Sequence, residues 1–175
     1  MSCAAGLVEK HMSAQQIIVD HDKWRKGLGG APAGLAGESD GNSYAGLDLN
    51  LITFTSVSFS GSSFTSTTFH DAVWMSCQFV GCAFSQCDMQ AIKISGCTFV
   101  ACTFRASQLK ASTLVNCSFS QCNWTDLNFD ASHWTQVKLL DCTGRQVNAV
   151  DLQGEQVDFT GSHFEDMQLT GARIN

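Results

Sequence analysis

Every fifth residue from Tyr44 to Leu139 is large and apolar, twenty positions without a break. All twelve phenylalanines of the 175-residue chain fall in this register, as do Trp74, Trp124 and Trp134, three of its four tryptophans. The series falters at Gly144, Ala149 and Gly154, then resumes in phase at Phe159, Phe164, Leu169 and Ile174. Two residues before each member runs a second column, small or modestly apolar, including Val57, Ala72, Cys77, Cys97, Ser112 and Val137. Ser, Thr, Asn, Asp, Gln and Gly fill most of the remaining places.

A period of five matches neither an α-helix at 3.6 nor a flat strand at 2.0. One geometry gives it a single interior. A short extended step sends two side chains inward, two positions apart, and a tight turn redirects the chain before the next step. Gly46, Gly61, Gly81, Gly96, Gly161 and Gly171 lie two residues after a central position, where a turn calls for positive φ. The only proline, Pro32, lies outside the repeat, as a continuous hydrogen-bonded ladder requires.

The unit small–(Asp/Asn/Thr)–(Leu/Phe)–x–x resembles the pentapeptide-repeat family, and Val157-Asp158-Phe159-Thr160-Gly161 is a near-consensus copy. The resemblance covers roughly residues 42–175. It implies an all-β fold, a right-handed quadrilateral parallel β-helix with four pentapeptides per coil. Those residues would make somewhat under seven coils, a rod of roughly 32 Å at ~4.8 Å per stacked strand. Ile17 to Trp24 resembles the short, often helical N-terminal cap of such solenoids. The expected organisation is a vector-derived leader over 1–12, a cap and linker over 13–41, and the β-helix over 42–175. Residues 28–42, rich in Gly, Ala and Ser, read as a linker.

Twenty residues per coil places Phe59, Phe79, Phe99 and Phe119 in one ladder, continued by Leu139 and Phe159. Residues 142–157 admit two readings. Either Val147, Leu152 and Val157 fill the volume vacated at Gly144, Ala149 and Gly154, or Val150 to Gly154 forms a consensus unit with its surroundings looped out. The volume swap is preferred.

Eight of the nine cysteines fall in the small interior column. The repeat alone explains their spacing, so they read as buried hydrophobes rather than metal ligands. Stacked Cβ atoms ~4.8 Å apart exceed the ~3.8 Å of a disulfide. Reduced thiols are expected, and with them a reducing compartment. That compartment reads as the bacterial cytoplasm, with export by a leaderless route left open. Cys3 stands alone in the leader. His70, His133 and His163 fall at outward positions on different faces. No phosphate loop, zinc-protease motif or nucleophile elbow is present. No catalytic residue, metal ligand or cofactor is expected, and an enzyme is the least favoured class.

The formal charge of −6 and pI near 5.1 argue against direct nucleic-acid or anionic-membrane binding. No run of 18 apolar residues could span a bilayer. The charge is uneven. Residues 42–124 balance to zero. Beyond them Asp126, Asp130, Asp141, Asp151, Glu155, Asp158, Glu165 and Asp166 face only three cations, an acidic end spread over several faces.

Partner binding is therefore sought on the outside. Val80, Val100 and Leu140 should stack on one face with Ser120 between them, and Val73 and Met75 flank Trp74 on the preceding face. Such an aligned stripe marks a candidate contact. The last coil, with Leu169 and Ile174, is expected to expose apolar side chains, and end-to-end homodimerisation, as in relatives, would cover them. The expected function is non-catalytic protein binding on a rigid rod. The resemblance also implies an alternative, since some members mimic B-DNA and bind DNA gyrase.

Overall fold

The computed structural model describes residues 12–175. Cys3 and the leader up to His11 lie outside the described residues. Helix α1, Ala14–Arg25, opens on a capping box in which the Ser13 hydroxyl accepts from Gln16 N–H and the Gln16 side chain accepts from Ser13 N–H, both at 3.2 Å. Lys23 and Arg25 occupy its last turn, where the helix dipole favours cations. Gly27 then takes φ +72°, and the helix stops.

The rest is a parallel β-solenoid of about seven turns. It has four sides. The first is a sheet of eight short strands, from Gly34–Ala36 through Thr53–Thr55 and Val73–Met75 to Arg173–Ile174. The second runs from Ser39–Asp40 to Lys138–Leu140 in six strands, and the third from Ser43–Ala45 to His163–Glu165 in seven. The fourth is held by single bridges such as Asp48 with Thr68 and Thr68 with Asp88. Partners lie twenty residues apart, so Phe79 pairs with both Phe59 and Phe99.

Both inward columns are buried. Phe54, Phe64, Phe79 and Phe99 expose none of their surface, and neither do Ile52, Val57 and Val137. Rings in successive coils lie nearly parallel. Phe79 and Phe99 are 4.7 Å apart at 6°, and Phe99 and Phe119 are 4.6 Å apart at 4°. The turns explain the spacers. The residue two after each centre takes a left-handed backbone, at glycines such as Gly61 (+67°) but also at twenty non-glycine residues, among them Ser76, Ala111 and Asp126. Such conformers cost about 1–3 kcal/mol each, and burial of the neighbouring centre, about 1.5–3 kcal/mol for a large apolar side chain, offsets that.

Residues 142–157 stay in register. Gly144 pairs with Trp124 below and Phe164 above, and Gly154 with Trp134 and Ile174. A Cβ built on Gly144 would overlap the Phe164 ring. At Gly144 the vacated volume is taken by Phe164 of the next coil, where Val147 of the same coil was expected. Gly154 is filled by Val157 and Ile174.

The start differs from expectation. Residues 34–40, read as linker, already form strands, and the solenoid begins at Gly34 rather than at 42. Leu35 pairs with Phe54 and Asp40 with Phe59, an offset of nineteen, before Tyr44 pairs with Phe64 at twenty. One residue fewer in this turn breaks the phase. Asp40 occupies an aromatic position of the core at 7% exposure. It is held by Tyr44 OH, Ser62 OH, Asn42 N–H and the Asn42 amide, at 2.6 to 3.0 Å. Burial, then the bond to Asp40, pushes the Tyr44 phenol well above its usual range.

Candidate interaction surfaces

Eight thiols line the interior. Cys77, Cys97 and Cys117 stack along one corner and Cys82, Cys102, Cys122 and Cys142 along the next; all seven are buried and free, as is Cys87. A repeated bond pattern holds them. The Cys102 thiol donates to Val100 C=O two residues back and to Phe79 C=O in the coil below, and Cys122 repeats this with Ser120 and Phe99. Burial pushes the Cys87 and Cys117 thiols up to about 11. Neighbouring thiols, then burial, also raise Cys82 and Cys97. A buried thiol held protonated is a packing group, not a nucleophile. Two thiols depart from this: the bond with Cys122 lowers Cys142 to about 7, and the bond with Cys97 lowers Cys77. Among the described residues, no three His, Cys, Asp or Glu side chains are placed to hold a metal ion, and no helix is long and apolar enough to cross a membrane.

The histidines stand apart. His70, on the fourth side, contacts Asp88 at 2.7 Å. His133 lies on the first sheet, and His163 on the third beside Glu165 at 3.4 Å. His21 carries no sequence signal that marks it, yet it is buried and docks α1. Its Nδ1 accepts from Ala33 N–H at 2.9 Å, so Nε2 donates to Asn50 C=O at 2.7 Å. Asp22 accepts from Asp48 N–H, Arg25 reaches Asp48 and Lys26 reaches Gly46 C=O. Ala14 and Ile18 are buried beneath the same helix, so the first coil is sealed.

Val80, Val100, Ser120 and Leu140 stand in direct register on the outside of the second sheet. Val80 is 47% exposed, and Val100 and Leu140 are half-buried. Residues 56–61, 76–81, 96–101 and 116–121, which make this side over four coils, include no charged residue. Val73 and Met75 point out from the adjoining first sheet, Met75 44% exposed.

The acidic residues are divided. Asp126 and Asp166 line one corner with Gln146 between them. Asp141 and Asp151 occupy left-handed turns on two other corners, their carboxylates folded over Gly161 and Gly171 of the next coil. Asp130 accepts from Val150 N–H and Asp158 from Thr160 N–H, both at 2.9 Å. Glu155 and Glu165 project from the first and third sheets. The sequence places these residues at one end, and the structure does not gather them on one side.

Burial falls over residues 156–175. Phe159, Phe164, Met167 and Ile174 are half-buried, and Leu169 is 42% exposed, whereas Leu49 at the head of its ladder is fully buried. Exposed apolar surface at Phe159, Phe164 and Met167 goes beyond the Leu169 and Ile174 singled out from sequence. The signal available was their place in the final coil.

The family model for the pentapeptide repeat region matches residues 72–149. No curated protein sequence matches the chain. Among solved structures, a trypsin-treated variant of QnrB1, a plasmid-mediated fluoroquinolone resistance protein, aligns at 11% identity over 83% of this chain and 92% of its own, with a TM-score of 0.51. HetL, a pentapeptide repeat protein involved in heterocyst differentiation regulation from Nostoc sp. Strain PCC 7120, aligns at 13% identity over 93% of this chain and 97% of its own, with a TM-score of 0.36. At these identities the first likeness speaks for the fold alone, and the second adds nothing to it. With a core built from every fifth side chain and four strides to the coil, the solenoid carries a pentapeptide repeat region, which the family model matches over residues 72–149.

Proposed function

We propose that the chain is a non-catalytic protein-binding rod that engages a protein partner through its outer faces or its C-terminal coil. One observation carries this reading: apolar side chains stand in line on the outside of the rod, Val80 under Val100 with Leu140 beyond Ser120, and Met75 is exposed on the adjoining side. The second side carries no charged residue over four coils, and Lys138 and Asp141 enter only in the coil of Leu140, so the column makes a flank on which a partner could lie. No cofactor enters the reading, and its setting is the reducing bacterial cytoplasm, in keeping with eight free interior thiols. The test is light scattering and affinity capture with the wild-type chain and with Val100→Lys/Leu140→Lys. Loss of association in a folded variant supports the flank. A chain that captures no protein from its native host, by either surface, overturns the reading.

A second reading is a DNA-mimicking rod that binds DNA gyrase. The acids concentrated beyond residue 125 favour it, because an acidic rod complements a basic DNA-binding saddle. The uncharged second side over four coils weighs against it. Gyrase supercoiling assays with titrated protein decide; neither inhibition nor protection at micromolar protein removes it.

A further inference from the structure

The cysteine columns are closed to the two usual thiol linkages. Cβ atoms one coil apart, ~4.8 Å, lie beyond the ~3.8 Å of a disulfide. Zn(II) asks for four ligands, and among the described residues no three His, Cys, Asp or Glu side chains are placed to hold one ion. The same spacing suits a third arrangement. Two metal–sulfur bonds of ~2.3 Å laid in line span ~4.6 Å, close to the ~4.8 Å between stacked strands. A monovalent d10 ion such as Cu(I) is soft and selects thiolate, and two thiolates in a line satisfy it.

Cys82, Cys102, Cys122 and Cys142 present this spacing in succession. Their backbones are joined coil to coil: Thr103 N–H donates to Cys82 C=O at 2.9 Å, Asn123 N–H to Cys102 C=O at 3.0 Å and Thr143 N–H to Cys122 C=O at 3.0 Å. Each thiol interacts with the next along the column. All four are free and expose 2% of their surface or less, so water and chelators are kept from whatever they hold. Backbone amides support the thiolate form. Cys77 N–H donates to the Cys97 sulfur at 3.4 Å in the neighbouring column. The backbones of Cys82, Cys102 and Cys122 act in the same sense on the sulfur of the next coil.

We propose that neighbouring thiols of this column, Cys82 with Cys102 and Cys122 with Cys142, each bind one Cu(I)-type ion as a linear bis-thiolate that bridges two coils. Each ion replaces two thiol protons, which pass to solvent. The metal keeps its oxidation state, and the site gains one negative charge, which those amides stabilise. A sulfur atom bonds at a bent angle and cannot carry two collinear metal bonds, so alternate gaps are filled and the column holds two ions. The shorter column of Cys77, Cys97 and Cys117 holds one by the same rule. The bridges tie coil to coil along the rod axis, and the site is independent of any protein partner.

The test uses the full chain carrying Cys3→Ser/Cys97→Ala, in which only the four-thiol column keeps neighbouring pairs. Refolded under argon with Cu(I) as its acetonitrile complex and then desalted, it should retain two ions per chain. X-ray absorption should find two sulfur neighbours around copper, and the melting midpoint should rise on loading. Two further variants on this background each remove two thiols. Cys82→Ala/Cys142→Ala keeps Cys102 beside Cys122 and should retain one ion. Cys102→Ala/Cys122→Ala leaves thiols two coils apart and should retain none. Alanine already fills an equivalent inward place at Ala72, so both should fold. Zn(II) in place of Cu(I) should not survive desalting. Equal retention by the two variants, three or more sulfur neighbours, zinc held as well as copper, or no copper in the folded parent overturns the proposal.

Discussion

The rings of Trp124 and Phe164, forty residues apart, meet at 5.9 Å between centroids across the coil that separates them. They do so because the intervening centre is Gly144, whose missing side chain leaves the space that the Phe164 ring enters. Filling that place by Gly144→Leu should overpack the site and cost about 1–3 kcal/mol. Phe164→Ala alone should also destabilise, by leaving a void over Gly144. The double variant should lose at least ~0.5 kcal/mol less than the two single losses together, as coupled neighbours do. Urea melts of the four proteins measure this; strict additivity would place Phe164 outside the vacated volume.

Phe99 tests the core itself. It is fully buried and sandwiched between Phe79 and Phe119 at 4.7 and 4.6 Å. Phe99→Ala should cost about 3–5 kcal/mol. An unchanged unfolding midpoint would contradict its inward placement.

The aromatic ladders were legible because each centre repeats at a fixed interval and each inward position tolerates only a large apolar group. Gly144 and Gly154 were legible in phase alone. Sequence shows that volume is missing there, but not that Phe164 crosses from another coil to fill it. The first coil was hidden by a step of four between Asp40 and Tyr44. Leu35 and Asp40 keep the five-residue interval, yet a carboxylate does not look like a core centre until its donors are seen. The outer surface was legible in alignment, since register fixes which residues stack. Its use was not, because exposed positions are free of the packing constraint that makes the interior regular.

Asp40 should behave as a buried hub. Asp40→Ala leaves the Tyr44 and Ser62 hydroxyls without their acceptor, and bonds to a charged group are worth about 1.5–3 kcal/mol. A loss of about 2–3 kcal/mol is expected, with Asp40→Asn milder because it keeps one acceptor oxygen. Differential scanning calorimetry separates them. An Ala variant as stable as wild type would show that the nineteen-residue offset stands without this network.

The thiols predict alkaline lability. Cys87 and Cys117 ionise near 9.0 when exposed and near 11 when folded, because burial disfavours the thiolate. Below pH 9 both states keep the proton and the stability is complete. Between pH 9 and 11 the unfolded chain releases protons that the folded chain retains, so stability falls by about 1.4 kcal/mol per pH unit for each thiol. Tyr44, also raised, acts in the same direction at higher pH. Melts from pH 8 to 11 should show the decline, less steep in Cys87→Ala/Cys117→Ala. Iodoacetamide at pH 8 should label the eight interior cysteines only after denaturation; rapid labelling of the native protein would contradict their burial.

The left-handed turns reverse an ordinary rule. Ala→Gly in a regular element usually destabilises by roughly 0.5–1 kcal/mol, because glycine loses more freedom on folding. Ala111 holds φ +55° on an exposed corner, a conformation that costs a non-glycine residue about 1–3 kcal/mol. Relief of that strain should exceed the entropy lost, so Ala111→Gly should raise stability by about 0.5–1 kcal/mol. Leu51 is the stronger case, with φ +67° and 51% exposure, since its side chain adds little burial to oppose the change. Chemical denaturation of both variants reads the sign. A fall of the usual size at Ala111 would mean that the turn bears no strain, and that the spacer residues of the repeat are free of the backbone constraint assigned to them.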